Sequence, residues 1–199
     1  MSELKFDEGK HLYSLDGVPL PSVTQVLKGV GIIDFSNVPP ALLEAACQFG
    51  TAAHKATELS DKGKLDEENL DINLRPYLDG WILFRQEYGF LSDMIERPIY
   101  SKIYRFAGTP DRLGHWRIDD SMIILDIKTG FMLSSADAIQ TAAYAIMAKE
   151  GGIKGTIKRV SLLLTKDGKY KIKEHKDKND ANVFISALSV YNWRRKHGN

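Results

Sequence analysis

The stretch IILDIKTG at 123–130 decides how this chain is read. Its Ile-Ile-Leu run, rich in β-branched residues, predicts a buried strand over 122–128. Strand side chains alternate faces, so Asp126 and Lys128 fall on one side while Ile127 points into the opposite core. On an open surface such a pair is an ordinary ion pair worth under about 1 kcal/mol. At the end of a buried strand two charges are costly unless they are compensated or used. A strand of this kind, with helical patterns before and after it, implies a mixed α/β domain with one central sheet.

Reading backwards, residues 94–106 and 109–117 predict two more strands, separated from 122–128 by glycine and Asp-Asp turn signals. The segment AGTPDRLG at 107–114 carries Asp111 and continues into Arg112. Gly108 permits a close backbone approach, and Pro110 marks a strand irregularity or edge. With 14 residues between Asp111 and Asp126, the two carboxylates fit adjacent antiparallel strands. Side by side they form the hard-oxygen site that Mg2+ or Mn2+ prefers. Glu96 opens the strand ERPIYSKIYRFAGTPD, within reach of the same cluster or only of its rim.

Further back, a helical pattern opens at Pro39-Pro40 and closes near Gly63. Within it, Gly50 and His54 stand four apart on one face. A glycine in mid-helix costs about 1 kcal/mol relative to alanine, which implies a close approach there. A lone helical histidine is ordinary; the company of two aspartates makes it a metal-ligand candidate. The acidic stretch 61–73 reads as a loop, and a helix follows from Pro76 to Tyr88 with Tyr77, Trp81 and Phe84 on its buried side. At the N-terminus, residues 4–20 read as a strand pair with turns, and Ser22 caps a short helix through Lys28.

Reading forwards, a helix spans 135–149 and ends at Gly151-Gly152, with Gln140 and Tyr144 on one face. Strands over 157–165 and 169–175 flank the Asp167-Gly168 turn, and a last helix runs from 180 to 196. The whole is expected as a single domain over 1–199, residues 1–38 packing on its core.

Composition narrows the classes. With 199 residues, 43% hydrophobic and 27% charged, the chain suits a globular protein with a substantial core. No apolar run nears the roughly 20 residues of a membrane span, and the charged N-terminus lacks a signal-peptide pattern. One cysteine, Cys47, excludes internal disulfides and any four-cysteine iron–sulfur cluster, and suits a reducing cytoplasm. No GxxxxGK[ST] phosphate loop is present. A net charge of +1 argues against a protein that coats nucleic acid non-specifically. It hides a net −4 over residues 51–100 and a net +6 over residues 149–178.

Taken in order, G-T-A-A-H (50–54), E-x-P (96–98), A-G-T-P-D (107–111), L-D-I-K-T-G (125–130) and Q-x-x-x-Y (140–144) resemble the RecB-like branch of the PD-(D/E)XK nucleases. The stretch 13–27, with P-S-V-T-Q-V-L, is similar to small phage exonucleases of that branch. The resemblance covers about residues 10 to 150. It implies a restriction-endonuclease-like core, a mixed sheet flanked by helices. It implies metal ligation by His54, Asp111, Asp126 and the Ile127 carbonyl, with Lys128 as the catalytic lysine and Glu96 beside it. Gln140, Tyr144, Thr129 and Arg112 become DNA-contact candidates. The implied activity is Mg2+- or Mn2+-dependent hydrolysis of DNA, as an exonuclease or as an endonuclease or nickase of the same fold; the alternative is a non-catalytic DNA-binding module that keeps the fold. A bacterial or phage-encoded cytoplasmic protein, an annealing or recombination partner and an oligomer fit the same picture.

Overall fold

A computed structural model describes residues 3–198. The predicted strand becomes β8 (Met122–Lys128), at the centre of a five-stranded mixed sheet ordered β10-β9-β8-β7-β4. The other members are β4 (Phe90–Ile95), β7 (Arg112–Trp116), β9 (Ile157–Leu164) and β10 (Tyr170–His175). β8 and β9 run parallel and all other neighbours antiparallel. The parallel pair needs a crossover, which α4 (Ser135–Glu150) supplies.

Side-chain alternation along β8 assigns its two faces. Ile123, Leu125 and Ile127 join Val160, Leu162 and Leu164 of β9 against Leu78, Trp81 and Phe84 of α3 (Arg75–Tyr88). Ile124 faces the other way, into a core built by α1 (Val23–Gly29), α4 and α5 (Asp180–His197). Helices therefore cover both faces of a central mixed sheet, as expected.

The helix boundaries follow their local signals. Ser22 accepts from the Gln25 backbone N–H while the Gln25 side chain accepts from the Ser22 N–H, a reciprocal cap that starts α1. Pro40 opens α2 (Pro40–Asp61), where its missing N–H costs nothing. Gly89, at φ 58, ends α3 in the left-handed region that favours glycine.

Three expectations need correction. The stretch 94–106 is not one strand. β4 begins at Phe90 and stops at Ile95, and Glu96 takes φ 45 instead of opening a strand. Residues 99–108 then form a separate hairpin of β5 (Ile99–Ser101) and β6 (Phe106–Gly108). Pro110, lacking a ladder donor, separates β6 from β7. Second, the strand expected over 109–117 begins only at Arg112. Third, the N-terminal strand pair is a three-stranded meander, β1 (Leu4–Asp7), β2 (Leu12–Leu15) and β3 (Val18–Leu20). It packs through Tyr13, Leu15 and Leu20 on Ala107, whose N–H donates to the Pro21 carbonyl. Among the described residues no helix is long and apolar enough to cross a membrane.

Candidate metal centre

Three elements bring the site together. Arg112 pairs with Leu125 across the β7–β8 ladder, so the next step along it sets Asp111 beside Asp126. Helix α2 lays His54 over the end of β7. The chain turn after β4 returns Glu96, whose N–H donates to the Asp111 carbonyl at 3.1 Å. His54, Glu96 and Asp111 then offer ligand atoms that all lie within 4.8 Å of one another, the one such group among the described residues. His54 Nδ1 is 3.3 Å from Asp111 Oδ1 and 3.5 Å from Glu96 Oε1. The other Asp111 oxygen accepts from the Ile127 backbone N–H at 2.5 Å.

Two buried acids and an imidazole perturb one another's protonation here. Burial pushes the Glu96 carboxyl up, helped by Asp111 and only partly offset by His54 and Arg112. Burial acts against the His54 imidazolium, but Asp111 and Glu96 outweigh it and raise the ring to about 10. Asp111 is held below the usual carboxylate range, because His54, Lys128 and the Ile127 N–H together overcome its burial. A proton on His54 thus occupies the place of positive charge between two acids. Carboxylates suit Mg2+ or Mn2+, and the imidazole adds affinity for transition metals. The donor set fits a divalent cation.

Asp126 stands apart from the three ligands. It is 1% exposed, and Lys128 Nζ lies 2.8 Å from its Oδ2, off the direction of a good hydrogen bond; that oxygen has none. Burial, with Asp111 next to it, pushes its carboxyl up to about 7 despite the lysine. Asp126 lies outside the group formed by His54, Glu96 and Asp111 and sits beside Lys128 on the adjoining strand. Burial disfavours the Lys128 ammonium, yet Asp126 and Asp111 hold it charged.

The candidates for DNA contact differ in burial. Gln140 and Tyr144 are 7% and 4% exposed. Gln140 accepts from Lys128 Nζ at 3.2 Å and donates to the Tyr144 hydroxyl at 3.0 Å, so the pair braces the lysine. Arg112 is wholly buried and cannot face a ligand. Its guanidinium donates to Asp61 Oδ2 at 2.7 Å, to the Thr57 hydroxyl, to the Asp111 carbonyl and to Glu96, and packs over the Trp81 ring. Thr129 alone of the four remains half-exposed, beside Gly50.

Sequence reading missed Asp61 and Asp137. Asp61 also accepts from Arg85 and from the Trp81 indole. Asp137 accepts from the Ser134 N–H at the start of α4 and lies 3.8 Å from Lys128 Nζ. The Ser-x-x-Asp spacing at 134–137 was a legible cap signal, whereas nothing local ties Asp61 to Arg112. The centre opens into a cleft of about 680 Å3, walled by α2 on one side and by Phe6, His11 and Tyr13 of the meander on another.

No family model and no curated protein sequence matches this chain. Among solved structures it is similar to a "Putative exonuclease" from Eubacterium rectale at 11% identity and TM-score 0.49, over 75% of this chain and 68% of that one. It is also similar to a protein named SSO0001 at 12% identity and TM-score 0.39, over 73% of this chain and 72% of that one.

Proposed function

We propose that this protein is a Mg2+- or Mn2+-dependent deoxyribonuclease of the RecB-like PD-(D/E)XK type with a restriction-endonuclease-like core. The observation that carries the reading is the convergence of His54, Glu96 and Asp111 around one point, with a charged Lys128 on the adjoining strand. Five ordered motifs resembling that branch support the same reading. An isolated helical histidine or a lone Asp-x-Lys would carry far less.

The chemistry asked of such a site is attack by water on a phosphodiester, with a P–O bond formed and the bond to the leaving sugar oxygen broken. A divalent cation, when bound, neutralises the phosphate and acidifies a coordinated water. The chain's own residues do the rest. His54, Glu96 and Asp111 would hold the cation. Lys128, charged by its two aspartates, stabilises the negative charge that develops on the phosphoryl oxygens. Gln140 and Tyr144 hold Lys128 in place, and Arg112 holds Glu96. Among activities of this fold an end-dependent exonuclease in recombination or repair is favoured, on the likeness of residues 13–27 to phage exonucleases.

The test is incubation of linear DNA, circular DNA and RNA with Mg2+ or Mn2+, with and without EDTA, followed by digestion of a duplex labelled at one end. The expected result is cation-dependent loss of linear DNA, abolished in Asp111→Ala and Lys128→Ala proteins that still fold. Full activity in both variants discards the assignment. Cleavage of circular DNA identifies an endonuclease instead.

A further inference from the structure

Phe131 is 100% exposed and Met132 73% exposed, in the loop that joins β8 to α4. The loop is held at both ends: by Lys128 and its partners before it, and by the Ser134–Asp137 cap after it. It starts beside the metal cleft: Thr129 Oγ1 is 3.5 Å from where a Cβ on the cleft-lining Gly50 would stand, and Phe131 follows two residues later. Three residues of chain reach about 10 Å. Along a nucleic-acid strand, at about 3.4 Å per nucleotide, that is some three nucleotides from the residue that faces the reacting phosphate.

The loop carries no charged side chain between Lys128 and Asp137, so it does not suit a phosphate. An exposed ring and a thioether suit a flat, apolar face. In a duplex the base faces are already stacked on one another; only an unpaired base offers one. We propose that Phe131, supported by Met132, is a base-stacking platform, and that the site therefore takes nucleic acid whose bases are unpaired next to the reacting phosphate. This rests on the nuclease reading above and specifies its substrate class. Stacking on an aromatic ring is tolerant of sequence because every base has such a face, so the preference is for unpaired structure and not for a sequence.

The test uses the full chain, Mn2+, and phosphorothioate oligonucleotides that resist hydrolysis, single-stranded or fully paired and of one sequence. A 2-aminopurine is placed within three nucleotides of the end. Wild-type protein is expected to bind the single strand more tightly and to quench the 2-aminopurine. Phe131→Ala is expected to weaken single-strand binding by about tenfold or more, to spare the duplex and to lose the quenching, while Phe131→Trp restores both. Single-strand binding untouched by Phe131→Ala overturns the platform alone. A changed sedimentation state with unchanged affinity also overturns it, and makes the loop an interface between copies. Wild-type protein that binds neither oligonucleotide overturns the nuclease reading and this proposal together.

Discussion

His54 is where protonation and metal binding compete. Its ring is raised from the ordinary 6.5 to about 10 by Asp111 and Glu96, against the pull of burial. A base whose folded value lies above its unfolded one adds stability that is complete below about 6.5 and is lost as pH rises through about 10. Metal-free protein should therefore become less stable across that window, and His54→Asn should flatten the slope; urea denaturation at several pH values measures both. A ligating imidazole must be neutral, so Mn2+ should bind more tightly as pH rises, with release of about one proton at pH 7.5. Calorimetry in buffers of different ionisation enthalpy counts that proton. A pH-independent affinity would remove His54 from the ligand set.

At the scale of elements, three glycines that look alike in sequence do different things. A Cβ on Gly114 would stand 2.0 Å from the Leu91 carbonyl, where β4 bulges between Ser92 and Met94 against β7. Backbone cannot yield as a side chain does, so Gly114→Ala should cost at least about 1–3 kcal/mol. On Gly108 the same atom would meet the Tyr144 ring at 2.8 Å and Val23 at 3.2 Å. Gly108→Ala should displace the ring that braces Gln140 and lower activity more than stability. Gly50 meets nothing closer than 3.5 Å, which corrects the expectation that mid-helix glycine marks a tight approach. Gly50→Ala should raise helix stability by up to about 1 kcal/mol. Thermal melts of the three variants, ranked against one another, check the assignment.

At the scale of the molecule, a buried strut links the helical layer to the sheet. Asp61 ends α2 and takes hydrogen bonds from Trp81 and Arg85 of α3 and from Arg112 of β7. Arg112 in turn reaches Thr57 of α2, Glu96 and the Asp111 carbonyl. The side chain that positions two metal-facing acids is thus anchored away from the cleft. Truncation of Asp61 leaves a wholly buried guanidinium short of its counter-charge, which typically costs about 3–5 kcal/mol. Asp61→Ala should show that loss in urea denaturation, together with weaker metal binding. Asp61→Asn, which keeps one accepting oxygen but sets an NH2 donor against a donor at the other position, should also lose stability and metal affinity, by less than Asp61→Ala.

The helices and the central strand were legible in the chain, because caps, prolines and side-chain periodicity act over a few residues; that His54 and Asp111 would meet was an expectation from ordered motifs, and the structure brings those two side chains together. Local signals also announced the break at Pro110, though not that it would send β5 and β6 into a separate hairpin. The division of labour within the centre came from the tertiary structure alone. Glu96 was brought beside His54 and Asp111 through a backbone turn with positive φ, Asp126 was set beside Lys128, and Arg112 was buried as a strut. Those outcomes depend on which charges meet across long stretches of chain in a low-dielectric interior. There a displacement of one side chain decides whether a carboxylate faces a cation site or a lysine.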